Sequence, residues 1–82
     1  MSAPAKAPAW DAARAAELAR EAYRYVGRVY PDGAPLEPIG KADRAVLEAQ
    51  EAGDFSAYEE ALRELCRTAR REAARFKAKG AA

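Results

Sequence analysis

The segment from Cys66 to Lys79, CRTARREAARFKAK, concentrates the side chains that could bind phosphate. It holds six basic residues and a single acid in fourteen positions. The basic residues are Arg67, Arg70, Arg71, Arg75, Lys77 and Lys79. Clustered guanidinium groups bind phosphate oxygens through bidentate hydrogen bonds and Coulomb attraction. We therefore treat these six residues as a candidate contact for nucleic acid, mainly with its backbone, or for an acidic protein partner.

The same segment also suits the end of a long helix. Acids near the start of a helix and bases near its end both complement the helix dipole, and the stretch from Glu48 to Glu64 holds six acids and one base. Three pairs can form at helical spacing: Glu59 with Arg63, Glu64 with Arg67, and Glu72 with Arg75. Arg70, Arg71, Lys77 and Lys79 have no obvious partner of this kind. Phosphate binding and dipole complementation therefore both stay open.

A second candidate site lies in REAYRYVGRVY, residues 20–30, which interleaves three tyrosines with three arginines. Tyrosine and arginine are enriched at the energetic centres of protein interfaces. Gly27 costs a helix about 1 kcal/mol relative to alanine, which suggests close approach of another helix. The candidate protein interface comprises Tyr23, Gly27, Tyr30 and Phe76. Alternatively, Tyr23 and Tyr30 only wrap the edge of a small core.

Several functions are disfavoured by what the chain lacks. It has no histidine, the most common general base and metal ligand, and its one cysteine, Cys66, cannot form an internal disulfide. Glu59 and Glu60 are adjacent, but neighbours in a helix point about 100° apart. We expect no catalysis, no cofactor and no metal. We also expect a cytoplasmic location without membrane contact, because no apolar run approaches the roughly 20 residues of a membrane span and the first residues lack a secretory signal's apolar region.

Composition predicts a small helical domain with a thin core. The chain has 82 residues and a formal net charge of +1, and 23 of its 41 nominally hydrophobic residues are alanine. Alanine, glutamate and arginine favour helix. Small chains with thin cores often depend on a partner or on a second copy for stability. Composition therefore favours a protein partner or self-association for this chain.

Helix start and stop signals divide the chain into a tail and one domain. Residues 1–9 are expected to form a flexible Ala/Pro tail, and residues 10–79 a domain with helices at about 11–30, 40–52 and 54–79. Asp11 is the predicted N-cap of the first helix, and Asp54 or Ser56 that of the third. The second helix should end at Gly53. Three prolines and a glycine between Tyr30 and Pro38 indicate an irregular connection.

These elements predict an all-α fold, a small three-helix up-down-up bundle with a long C-terminal helix and a disordered N-terminal tail. Trp10 should anchor near Phe55 and Tyr58. The third helix outruns the second, so Phe76 needs a cover, either from Leu36, Pro38 and Ile39 or from a second protomer. The expected function is a non-catalytic helical protein-protein interaction module, with self-association included. The alternative is a nucleic-acid-binding accessory or regulatory protein that uses the basic half of the third helix.

Overall fold

The computed structural model describes residues 9–80 as three helices without strands. Helix α1 spans Ala12–Val29, α2 spans Glu37–Ala52 and α3 spans Phe55–Gly80. The predicted all-α, three-helix architecture is confirmed. The predicted flexible tail falls, except for its last residue, on residues 1–8, which lie outside the described residues.

Local capping explains where α1 and α3 begin. The Asp11 carboxylate accepts a hydrogen bond from the Arg14 amide at 3.0 Å, and the Asp54 carboxylate accepts one from the Ala57 amide at 3.0 Å. Each bond satisfies an amide that the first turn of a helix leaves unpaired. Of the two possible caps for α3, the chain therefore uses Asp54.

A tight turn joins α2 to α3. Gly53 has φ +67°, the left-handed conformation that costs glycine little, and its amide donates to the Gln50 carbonyl. The Asp54 amide reaches back to the Ala49 carbonyl at 3.0 Å. These two bonds form a Schellman motif. Asp54 thus helps to end α2 and to start α3, which makes these helices antiparallel neighbours.

Helix α2 begins three residues earlier than the sequence suggested. Pro38 lies in its first turn, where a missing N–H costs nothing because the first amides of a helix have no intrahelical partner. The irregular connection is correspondingly shorter. Within it, the Ala34 amide donates to the Pro31 carbonyl at 3.3 Å, and Gly33 has φ +87°, so the connection contains a tight turn.

Helix α3 is the centre of the domain. Both α1 and α2 pack against it, and within residues 9–80 they do not pack closely against each other. Leu65 of α3 is fully buried and Val46 of α2 is 2 % exposed. Trp10 lies edge-on to both Phe55 and Tyr58, at centroid distances of 5.6 and 4.9 Å. The first residues of α1 are therefore fixed to the start of α3, as the sequence suggested for Trp10.

Two contacts set the register of α1 on α3. The Tyr58 hydroxyl donates to the Ala15 carbonyl at 3.3 Å, and the Cys66 thiol lies 3.9 Å from the Ala22 carbonyl. Seven residues along α1 thus match eight along α3, so the two helices run parallel, side by side. Within the described part of the chain, no helix combines the length and apolar composition needed to cross a membrane.

Candidate interaction groove

An open, mainly apolar groove of about 440 Å³ runs between α1 and α3. We call it the α1–α3 groove. It is lined by Leu18, Glu21 and Ala22 of α1 and by Glu59, Leu62, Arg63, Cys66 and Arg67 of α3. A smaller hollow of about 280 Å³, lined by Tyr25, Cys66, Arg67 and Arg70, continues it toward the helix C-termini. Together they form an elongated surface along two parallel helices.

The groove exists because α2 covers only one flank of α3. At 100° per residue, Glu59, Cys66 and Arg70 lie within a 40° arc of α3. Ala61 and Thr68, which are buried, lie on the other flank. On α1, Tyr23 extends toward α2, whereas Glu21 lies 160° further around the helix. Because α1 and α2 are the only helices that pack on α3 in residues 9–80, the outer side of the α1–α3 pair is left open.

The groove combines an apolar floor with charged rims. Leu18 and Cys66 are half-buried and pack against the hydrophobic core, while Leu62 is 4 % exposed. Burial raises the pKa of the Cys66 thiol above its ordinary value, so the thiolate is disfavoured. This chemistry suits the binding of an apolar side chain rather than nucleophilic attack.

Three of the six basic residues between Cys66 and Lys79 form salt bridges with nearby glutamates. The Arg67 guanidinium lies 2.7 Å from Glu60 and 3.0 Å from Glu64, and its hydrogen bond lowers the pKa of the Glu60 carboxyl. The predicted pairing of Glu64 with Arg67 is therefore correct. Arg63, however, pairs at 3.4 Å with Glu60 rather than with Glu59. These exposed pairs each contribute little to stability.

The C-terminal half of the segment is only partly neutralised. Glu72 lies 3.7 Å from Arg75, as predicted, and 3.6 Å from Arg71. The sequence-based view that Arg71 lacks a partner is therefore wrong. Arg70, Lys77 and Lys79 form no salt bridge with any residue in the 9–80 range. The positive charge that remains for a partner is concentrated on these three side chains.

The tyrosines of the second candidate site connect α1 to later parts of the chain. The Tyr23 hydroxyl donates to the Asp43 carboxylate of α2, and the Tyr30 hydroxyl donates to the Pro35 carbonyl in the connection. Tyr23 is 41 % exposed. Both hydroxyls thus have internal partners, which favours the alternative that these rings wrap the edge of the core. Their role in a partner interface stays a prediction.

Removing the Tyr23 hydroxyl should measurably loosen α2. We expect Tyr23→Phe to lower the free energy of unfolding by about 0.5–1.5 kcal/mol, because it deletes the hydrogen bond to Asp43. Urea unfolding followed by circular dichroism measures this difference. Tyr25→Phe is the matched control, since the Tyr25 hydroxyl makes no hydrogen bond within the described residues. Equal stability of the two variants would contradict a stabilising role for the bond.

The same bond predicts a pH dependence. Burial, and then the hydrogen bond to Asp43, raise the pKa of Tyr23 well above its ordinary value. In the unfolded chain tyrosine ionises near pH 10, whereas the folded chain keeps the proton. The associated stability is therefore complete below about pH 10 and is lost as the pH rises further. The free energy of unfolding of Tyr23→Phe should therefore fall less steeply above that pH than that of the unmodified protein. Burial also raises the pKa of Tyr58, which accounts for part of the loss that remains in the variant.

Gly27 is not explained by close helix approach. A Cβ atom added there would meet nothing within 4 Å, so the expectation that another helix packs closely on it within the chain is wrong. We predict that Gly27→Ala raises the free energy of unfolding by about 1 kcal/mol and the melting temperature by about 4–8 °C, because it removes only the helix penalty of glycine.

A thermal melt of both glycine variants tests this prediction. Gly53→Ala is the contrasting control, because its φ of +67° strains any other residue and should lower stability by about 1 kcal/mol. A destabilised Gly27→Ala variant would show that position 27 has a structural role that the open space around it does not reveal.

Phe76 remains half-buried near the end of α3. Ile39 is half-buried and packs against the core, but Leu36 is 73 % exposed and cannot be a substantial cover. The proposed role of Phe76 in a partner contact stays a prediction.

A third hollow, about 340 Å³, lies on α2 around Leu47 and has a largely polar lining.

Sequence reasoning did not identify the groove. Helical periodicity places Leu18, Leu62 and Cys66 on the apolar faces of their helices, but periodicity cannot show which edge of an apolar face lacks a neighbour. The available signal was indirect, namely that a chain with only three predicted helices has one helix besides α1 to pack on α3, and one helix cannot cover both flanks. Among residues 9–80, no group of three His, Cys, Asp or Glu side chains could hold a metal ion.

Comparison with protein-family models, curated protein sequences and solved structures finds no match for the chain. The fold and the groove therefore carry the functional argument by themselves.

Proposed function

We propose that the protein is a small, non-catalytic helical interaction module, and that its α1–α3 groove binds an amphipathic helix of a protein partner. The observation that carries this proposal is the open apolar floor between two parallel helices, with Leu18 and Cys66 only half-buried. An amphipathic helix that lays its apolar face into a hydrophobic groove is a recurrent mode of recognition.

The shape of the groove favours a helix as the occupant. The floor residues Leu62 and Cys66 are four residues apart on α3, and Leu18 and Ala22 are four apart on α1. This is the spacing at which side chains of a docked helix can enter between ridges. Charged residues at both rims, Glu21 and Arg63 among them, would surround the apolar contact as in many protein interfaces.

Composition supports the same proposal. Within residues 9–80, twelve hydrophobic residues are buried and seven of them are alanines, so this core gains from any additional apolar contact. The absence of histidine from the chain supports a non-catalytic role. The single cysteine is consistent with the cytoplasmic location that forms part of this proposal.

Site-specific photo-crosslinking in the source cells tests the proposal. A photoreactive phenylalanine analogue is placed at Leu18, in the groove, or at Leu47, a leucine on α2 that is 52 % exposed and serves as the matched control. We expect position 18, but not position 47, to crosslink to one defined polypeptide. The purified polypeptide should then bind the purified protein directly.

Each outcome of the crosslinking experiment has a clear meaning. A polypeptide that crosslinks at position 18 and binds in purified form supports the module, whether it is a different protein or a second copy. Equal crosslinking at both positions, or no direct binding by the purified polypeptide, would contradict the groove as a docking site.

A second candidate function is nucleic-acid binding, favoured by the three cationic side chains without acidic partners in residues 9–80. Arg70 and Lys77 are seven residues apart and lie on nearly the same line along α3, about 10 Å from each other along the axis. Lys79 adds a third charge at the end of the helix. Such a row could follow a phosphate backbone without reading its sequence.

Fluorescence anisotropy with labelled single-stranded DNA, duplex DNA and RNA at two salt concentrations distinguishes the two functions. A phosphate contact predicts binding that weakens steeply with salt, and it should be abolished when Arg70, Arg71, Lys77 and Lys79 are all changed to glutamine. Changing only Lys77 and Lys79, which lie outside the groove and its continuation, should weaken nucleic-acid binding and leave the Leu18 crosslink intact. Absence of binding at low salt would eliminate this second candidate.

A further inference from the structure

The two ends of the α1–α3 groove carry opposite charges that have no salt-bridge partner in residues 9–80. Glu59 borders the groove near the start of α3, and Arg70 borders its continuation toward the end. Neither residue forms a salt bridge with any part of the chain that the structure describes. Glu59 is moreover half-buried, a position in which a carboxylate gains from an opposing charge.

Helical geometry makes these two charges self-complementary. Eleven residues separate them, which is close to three complete turns, so both side chains leave α3 in nearly the same direction, about 16 Å apart along the axis. If a second molecule lies antiparallel on the first, its Arg70 comes to the level of Glu59, and its Glu59 comes to the level of Arg70.

The apolar floor lies midway between the charges. Their midpoint falls between residues 64 and 65 of α3, and the contact between Cys66 and Ala22 places it near the level of Glu21 on α1. Glu21 lies on the rim of the groove, and the small side chains of Ala22 and Cys66 lie within about two residues of this level on its floor. Leu18 and Leu62 flank this centre and supply the hydrophobic contact.

We propose that the occupant of the α1–α3 groove is a second copy of this chain, related by a twofold axis perpendicular to the helices. The axis crosses the groove near Ala22 and Cys66, and two equivalent salt bridges join Glu59 of each copy to Arg70 of the other. The α1–α3 pair of one copy then packs face to face on that of the other as a four-helix bundle, and each α2 lies on the outside. This inference rests on the proposed function, and it names the partner.

A twofold interface is isologous, so each substitution acts at two contacts at once. Glu59→Arg places two arginines opposite each other, and Arg70→Glu places two glutamates opposite each other. We expect each single variant to weaken dimerisation about tenfold or more, since attraction becomes repulsion at both ends. The double variant should regain the original affinity because its charges are exchanged but still complementary.

The two single variants should also bind each other. In a mixed dimer, the new arginine of E59R faces the new glutamate of R70E, and the two unchanged residues form the second pair. Each variant alone is therefore expected to be largely monomeric at concentrations where an equimolar mixture forms dimers. A general loss of folding could not produce this pattern.

Sedimentation equilibrium of the full chain over a wide concentration range is the test. The unmodified protein should approach twice its monomer mass of 8.9 kDa. The two single variants should dimerise more weakly, and the double variant and the mixture should recover. Glu51→Arg and Arg44→Glu are matched charge reversals on α2 and should not change the dissociation constant. Thermal melts of all variants verify that each one is folded.

Three results would overturn the inference: a monomer at all concentrations, dimers unaffected by E59R and R70E, or no recovery in the double variant and the mixture. The proposed function can be tested separately from the proposed dimer. A monomer whose position 18 crosslinks to another polypeptide that binds it directly would leave the interaction module in place and would eliminate only the second copy.

Discussion

Replacing Leu65 with alanine is expected to lower the free energy of unfolding by about 2–5 kcal/mol, because the substitution removes three carbons from the centre of the core and leaves a cavity. Leu65 has no exposed surface. It belongs to the helix against which both other helices pack. The effect should be severe, since small domains have only a few kcal/mol of stability in total.

Urea or thermal unfolding followed by circular dichroism measures this loss. Leu47→Ala is the matched control, because the same atoms are removed from a side chain that is 52 % exposed, and it should change stability by less than about 0.5 kcal/mol. Similar losses at the two positions would mean that α3 is not the central element of the fold.

The second large effect concerns binding. We expect Leu18→Arg to weaken binding to the groove partner about thirtyfold or more, because a guanidinium would be placed on the apolar floor at a position that a docked helix must cover. The domain should still fold. Leu18 is only half-buried, and the long arginine stem can keep its charge in water when no partner is bound.

Affinity for the partner recovered by crosslinking, or self-association if that partner is a second copy, provides the measurement. Leu47→Arg adds the same charge on α2, outside the groove, and should leave affinity unchanged. Full affinity in Leu18→Arg, with a folded domain, would exclude the groove as the docking site.

Much of the fold could be predicted from local signals. Asp11 and Gly53 are identified as caps by residue type and position, and each makes the predicted backbone contact. Trp10 was expected near Phe55 and Tyr58, and its ring packs edge-on against both. The start of α2 was predicted too late because Pro38 indicates both a loop and a first helical turn.

The candidate site was harder to predict than the fold. Residue type draws attention to the basic segment and to the tyrosines, because these side chains carry recognisable chemistry. The groove depends instead on which flank of α3 is covered by α2, a tertiary property that periodicity does not contain. Arg71 and Tyr23 also have internal partners, Glu72 and Asp43, which spacing alone does not indicate.

The most direct test of the central claim is a two-dimensional ¹H–¹⁵N NMR titration of the labelled protein with the partner recovered by crosslinking, or a dilution series if that partner is a second copy. The amides of Leu18, Ala22, Leu62 and Cys66 should change most, while those around Leu47 on α2 should not. Dominant changes on the outer face of α2, or only around Lys77 and Lys79, would contradict the claim that the α1–α3 groove binds the partner.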